Sequence, residues 1–138
     1  METMLITEML ARNARLYGDD VALIEREPAA NKRSKITWRE FDHLSNQIAN
    51  SLIVRGVQKG DRVVLLMMNC LDWLPIYFGI LRSGAIAVPL NFRFDVSDIH
   101  RCIELCEAKI VIFGEEFIER IAKAKLDLTF SVRAFIFA

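Results

Sequence analysis

The sequence predicts an α/β fold, a doubly wound and mostly parallel sheet with helices on both faces. Three observations carry that expectation. Residues 63–68 form an unbroken apolar run with no alternation, the pattern of a strand buried on both faces, as in parallel sheets. From Val63 onward, strand-length apolar runs alternate with amphipathic helix-length stretches in the order β-α-β-α-β-α-β, which fits right-handed crossovers. Glycines punctuate the joints, at Gly60, Gly84 and Gly114.

The elements follow in order. Leu5, Met9 and Leu16 give a first helix an apolar side, and Gly18-Asp19-Asp20 ends it. Val21-Ala22-Leu23-Ile24 reads as a short strand, residues 28–34 as a polar loop, and Lys35-Ile36-Thr37 as strand-like. Thr37 and Glu40 fit a capping box, in which each side chain satisfies the other's free backbone N–H. Trp38, Phe41, Leu44, Ile48 and Leu52 recur at helical spacing behind it, and Gly56 stands where a left-handed stop is wanted. Gly60-Asp61-Arg62 is a turn. Residues 72–82 form a helix that is apolar nearly all round, with Pro75 tolerated in its first turn. Residues 85–88 form a strand, and Asp95 caps a helix with Ile99, Cys102, Ile103 and Cys106 on one side. Residues 109–113 form a strand ending at Gly114, and residues 115–126 form a helix with acids first and lysines late. Phe135-Ile136-Phe137 reads as a buried central strand with nothing after it to cover it, which resembles a cut chain.

The chain of 138 residues is long enough for one domain, and with 53% hydrophobic and 26% charged residues it has a folding composition. Its 18 basic residues match its 18 acidic ones and are scattered, so no nucleic-acid or acidic-membrane partner is expected. The amino-terminal stretch reads as an amphipathic helix, not a signal peptide, and the longest apolar stretch, residues 73–81, is too short to span a bilayer. Cys70, Cys102 and Cys106 are an odd set without framework spacing, which points to a reducing, cytoplasmic setting.

Ligands of open α/β sheets bind outside the carboxyl ends of the strands, where strand order reverses. Those ends are Met68-Asn69-Cys70, Pro89-Leu90-Asn91-Phe92-Arg93 and Gly114-Glu115-Glu116. Residues 79–84 have the glycine spacing of a phosphate loop, but Ala85 stands where the lysine must be, so that reading is rejected; no G-x-G-x-x-G is present. Cys102 and Cys106 with His100 nearby could suggest a metal half-site. The better reading is two cysteines on an apolar helix side and a histidine pointing elsewhere. His43 falls at a mid-helix position and reads as a surface or packing histidine. Asn69 reads first as a strand-end turn residue, Asp61-Arg62 as turn chemistry, and Trp38 and Trp73 as core. Arg93 is the most interesting charge, because it directly follows a strand's carboxyl end. No catalytic and no metal-ligating residue is assigned.

Several strings, taken in order, resemble one family. Ile36-Thr37-Trp38-Arg39-Glu40-Phe41 is similar to the opening motif of adenylate-forming enzymes, and Gly56-Val57-Gln58-Lys59-Gly60-Asp61-Arg62-Val63 to their "G-V-x-x-G-D-R-V" turn. Asn69 stands like the asparagine after that strand. Gly84-Ala85-Ile86-Ala87-Val88-Pro89-Leu90-Asn91 resembles "G-A-x-x-V-P-L-N", and Ala108-Lys109-Ile110-Val111-Ile112 the strand that comes next. The resemblance runs over nearly the whole chain, most firmly over residues 36–113. The Val-Pro-Leu-Asn-Phe-Arg wording is closer to the acyl-CoA synthetase branch than to peptide synthetases, where aspartate is commoner at the Asn91 position.

This resemblance implies that residues 1–138 are the amino-terminal, incomplete portion of the large AMP-binding domain of a longer enzyme. Such an enzyme converts a carboxylic acid and ATP, with Mg2+, to an acyl-adenylate and pyrophosphate, then passes the acyl group to coenzyme A, often in fatty acid metabolism. The family's phosphate loop, its adenine- and magnesium-meeting motif, its ribose-binding aspartate and its carboxy-terminal lysine are not among these 138 residues. The piece alone is therefore expected to be inactive and to bind no cofactor tightly. The loop after the Val-Pro strand approaches the coenzyme A nucleotide in some members, which makes Asn91, Phe92 and Arg93 the coenzyme-side candidates. The rest of the chain, or a dimer mate, is expected to cover the apolar edge. The alternative expectation is a non-catalytic binding or assembly module on the same half-fold, with a partner covering the last strand and the helix of residues 73–81.

Overall fold

The computed structural model describes residues 4–129 and 132–138; the expectation of helix over Met1, Glu2 and Thr3 lies outside them. The chain forms two compact units interleaved in sequence, one from residues 1–55 and 70–83, the other from residues 56–69 and 84–138.

The first unit holds α1 (Ile6–Leu16), the strands β1 (Val21–Glu27) and β2 (Lys32–Thr37), α2 (Trp38–Val54) and α3 (Trp73–Arg82). The two strands pair antiparallel, Glu27 opposite Lys32 and Ile24 opposite Lys35. Residues 32–34 are thus strand, not the expected loop. Turn geometry wins over local polarity here: Pro28–Ala30 form one 3-10 turn and Asn31 takes a left-handed φ of 48°, reversing the chain at once. Helix α2 begins as expected. Glu40 N donates to Thr37 Oγ1 at 3.2 Å, and Thr37 N donates back to Glu40 Oε2 at 2.7 Å. After α2, Gly56 takes a φ of 81°, as its position requires. Phe41, Ser45, Ala49 and Leu52 form the buried face of α2, and buried Ser45 satisfies its hydroxyl on Phe41 O at 2.9 Å. Trp38 and Trp73, expected in the core, are half-buried and end an aromatic ladder through Phe41, Phe78 and Tyr77. Helix α1 forms as expected, but its apolar side is not the packed one: Leu5, Met9 and Leu16 are exposed, and Leu10 is its buried residue. Of α3, Pro75, Ile76, Gly79 and Ile80 are buried within this chain, and Leu74 is exposed.

The second unit is a parallel sheet built from β3 (Arg62–Leu66), β4 (Ile86–Pro89), β5 (Ile110–Phe113) and β6 (Ala134–Phe137), in the order β4-β3-β5-β6. The predicted parallel α/β fold is borne out. Helices α4 (Val96–Cys106) and α5 (Ile118–Ala124) pack Ile99, Ile103, Ile121 and Ala124 onto Val64, Leu66, Val111 and Phe113. The alternate residues Val63, Leu65, Ile110 and Ile112 are equally buried, so both central strands are covered on both faces, as their continuous apolar runs demanded. Full burial of each such aliphatic side chain contributes roughly 1.5–3 kcal/mol. The expected cap of α4 is present: Asp98 N donates to Asp95 Oδ1 at 2.9 Å. The last expected helix enters through a 3-10 turn, Glu115–Phe117. Strand β6 forms where a strand was expected at residues 135–137; among the described residues it hydrogen-bonds to β5 on one side, Phe135 and Ile136 are half-buried and Phe137 is 58% exposed. No helix among the described residues is long and apolar enough to cross a membrane.

Candidate functional site

Strand β3 connects forward to β4 on one side, while β5 lies on its other side and continues outward to β6. The order therefore reverses between β3 and β5, and the ligand crevice of such a sheet opens at their carboxyl ends. Exposed Met68 and Asn69 follow β3, and Gly114, Glu115 and Glu116 follow β5. The sequence thus placed two of its three polar clusters at the switch point. Gly114 is buried there; a Cβ on it would come 2.7 Å from Glu116 Oε2.

The third cluster continues β4. Leu90 N donates to Leu65 O at 2.9 Å, carrying the ladder one residue past Pro89. The chain then curls. Arg93 N donates to the Asn91 side-chain oxygen at 2.9 Å, and Phe94 N donates to Asn91 O at 3.0 Å, so Asn91 shapes the turn with its backbone and its side chain together. Phe92 and Arg93 are exposed, and the Arg93 guanidinium lies 5.5 Å from the centre of the Phe92 ring. Among the described residues it has no hydrogen-bonding or ionic partner. The three sequence candidates therefore form one surface feature: Asn91 as architect, Phe92 as platform, Arg93 as available cation. A guanidinium with no carboxylate beside it is the donor set that fits a phosphate.

Sequence reasoning missed Arg120. From α5 its Nη1 donates to Phe92 O at 2.9 Å and to Phe94 O at 3.2 Å, and its guanidinium lies 5.3 Å from the centre of the Phe117 ring. Its spacing of three from Phe117 was the one available signal.

The remaining candidates resolve into structure. Asp61 turns the chain, accepting from Gln58 N at 2.9 Å. Arg62 reaches further than the expected turn. It donates to the Cys106 and Glu107 carbonyls at 2.5 and 3.2 Å, a cation closing the carboxyl end of α4. His100 Nδ1 contacts Ala124 O at 2.8 Å, joining α4 to α5, and His43 is exposed. Cys102 and Cys106 are free and half-buried, and burial pushes the Cys106 thiol upward from its ordinary pKa. Among the described residues no group of three or more His, Cys, Asp or Glu is arranged to hold a metal ion. Gly79 lies inside α3, so the rejected phosphate-loop spacing is helix.

A parallel α/β sheet with polar loops at a strand-order reversal defines a large class of ligand-binding proteins. Comparison with known proteins narrows it. The family model for AMP-binding enzymes matches residues 10–134. The chain is 34% identical over 88 residues to the long-chain-fatty-acid–CoA ligase FadD13 of Mycobacterium tuberculosis, covering 64% of this chain and 17% of the relative. It is 33% identical over 104 residues to the crotonobetaine/carnitine–CoA ligase of Proteus mirabilis, covering 75% of this chain and 20% of the relative. The crystal structure of the N-terminal domain of FACL13 from Mycobacterium tuberculosis superposes with a TM-score of 0.86 at 30% identity, over 99% of this chain and 34% of that one. The chain belongs to the AMP-binding enzyme family, and it spans about a fifth or less of the curated relatives named here.

Proposed function

We propose that residues 1–138 form the amino-terminal portion of the AMP-binding domain of an acid–coenzyme A ligase, with the turn at Asn91, Phe92 and Arg93 on the coenzyme side. The observation that carries this reading is the likeness over 99% of the chain to the N-terminal domain of FACL13, joined to the CoA-ligase names of its relatives. In the whole protein, a carboxylate oxygen attacks the α-phosphorus of ATP, with Mg2+, and pyrophosphate leaves. The coenzyme A thiol then attacks the acyl carbon and releases AMP. This chain's part is to build the sheet and to present Arg93 to a phosphate of coenzyme A; no residue here is assigned to ATP or Mg2+. The three free cysteines support a reducing cytoplasmic setting.

The 138 residues alone are inactive in this reading. Carboxylate-dependent ATP–pyrophosphate exchange tests it, run with a panel of acids on the product of the whole reading frame and, in parallel, on this chain. Exchange is expected from the first and none from the second. Exchange by the short chain would overturn its inactivity, and none by the long one with any acid would overturn the ligase reading.

A further inference from the structure

We infer that Arg120 is a positioning residue, which acts on coenzyme binding by fixing the turn that carries Arg93. This rests on the coenzyme-side reading of that turn. The turn's two internal hydrogen bonds both end on Asn91, from Arg93 N and Phe94 N. They leave the carbonyls of Phe92 and Phe94 without a partner inside the turn. Arg120 gathers both onto one nitrogen, at 2.9 and 3.2 Å. Two carbonyls on either side of Arg93 are thereby aimed at a single point, which sets the backbone direction of the residue between them. Arg120 is itself anchored, since its guanidinium faces Phe117, a core side chain only 1% exposed.

The line of contact runs from the core at Phe117, through Arg120, through the two carbonyls, to Arg93. Arg120 is half-buried and engaged with the turn, so it is not the group offered to ligand. Arg93 is exposed and its cation is available. Both arginines contribute positive charge to this turn, and neither has an ion pair among the described residues. A lysine at 120 would retain the charge but not the forked donor set that the guanidinium brings to the two carbonyls over the Phe117 ring.

The test uses Arg93→Ala, Arg120→Ala, Arg120→Lys and the double alanine variant of the whole protein. Arg120→Ala is expected to raise the KM for coenzyme A about tenfold or more, the weight of one charge-assisted hydrogen bond. The kcat and pyrophosphate exchange stay within about twofold. Arg120→Lys restores part of the loss. The double variant is expected to be no worse than Arg93→Ala alone, the non-additivity of two residues acting through one contact. If Arg93→Ala leaves that KM unchanged, the coenzyme-side reading falls and this inference with it. If Arg93→Ala raises it and Arg120→Ala does not, only the positioning role falls. Additive losses in the double variant also overturn it. Hydrogen exchange supplies a readout independent of activity. The Phe94 amide should exchange at least about tenfold faster in Arg120→Ala, with the Leu65 amide in the sheet unchanged. Unaltered protection of Phe94 would overturn the inference.

Discussion

Glu40 is fully solvent-facing, yet its carboxylate accepts from both the backbone N–H of Thr37, at 2.7 Å, and the Thr37 hydroxyl, at 3.0 Å. The backbone hydrogen bond, followed by the hydroxyl one, holds its pKa below the ordinary glutamate value. A depressed folded pKa contributes stability that is fully present above the unfolded value, about 4.3, and is lost as pH falls through the folded value. Glutamine keeps the capping geometry without the titration. Glu40→Gln is therefore expected to melt with a shallower loss of Tm between about pH 5 and 3 than the parent; identical slopes in thermal scans would refute the assignment. Glu40 was legible in the sequence because a cap is local, three residues from its partner. Arg82 was not. It reaches Thr7 O at 3.1 Å, Asp42 O at 3.0 Å and Asn46 Oδ1 at 2.9 Å, with an ion pair to Asp42 at 2.5 Å. Arg62 and Arg120 are braces of the same kind. An arginine's long stem lets tertiary context choose its partners, and linear spacing carries no record of that choice.

Helices α2 and α3 meet at Gly79, where a Cβ would stand 2.6 Å from Ile48 Cγ2 and 3.0 Å from Ser45 O. Two effects of Gly79→Ala oppose each other. Alanine favours an exposed helix interior by about 0.8–1 kcal/mol. Against that, Ile48 is β-branched and held to one helical rotamer, and Ser45 O is backbone, so neither neighbour yields easily. Overpacking of this kind costs about 1–3 kcal/mol, so the clash wins. Gly79→Ala should lower the urea midpoint with the slope unchanged; a raised midpoint would show that the helices separate freely. The sequence showed Gly79 only as half of a failed phosphate-loop spacing, because close approach is a property of two elements. The same limit explains α1. Its apolar residues fall on more than one side, and only packing selects Leu10 over Leu5, Met9 and Leu16. The central strands β3 and β5 were legible because burial on both faces leaves a continuous apolar run.

At the scale of the molecule, the alternation of strands and helices was enough to foresee a parallel sheet. It was not enough to give the order β4-β3-β5-β6, since strand order is set by which crossovers step back over an earlier strand. Nor did the linear pattern show that the chain changes unit after Arg55, Asn69 and Ser83. Residues 1–55 hold a two-stranded hairpin and two helices, but α3, which packs on Ser45 and Ile48, comes later. An isolated hairpin is marginal in water, and an amphipathic helix needs its apolar face covered. A chain of residues 1–55 is expected to show weak helical dichroism and no cooperative melt, while residues 1–55 joined by a short flexible linker to residues 70–83 recover both. A cooperative melt of the shorter piece would show that α3 is dispensable to it.

That interleaving also sets a schedule on the ribosome. Translation at about 5–20 residues per second needs roughly one to six seconds to add residues 56–83, whereas a helix forms in about a microsecond. Phe41, Ala49 and Leu52 are thus made before the helix that belongs to the same unit. Residues 56–69, which belong to the other unit, emerge in between and must wait for β4 and β5. Codon speed across this window is therefore expected to change the yield of folded chain, at a step that no equilibrium measurement on the finished protein would register.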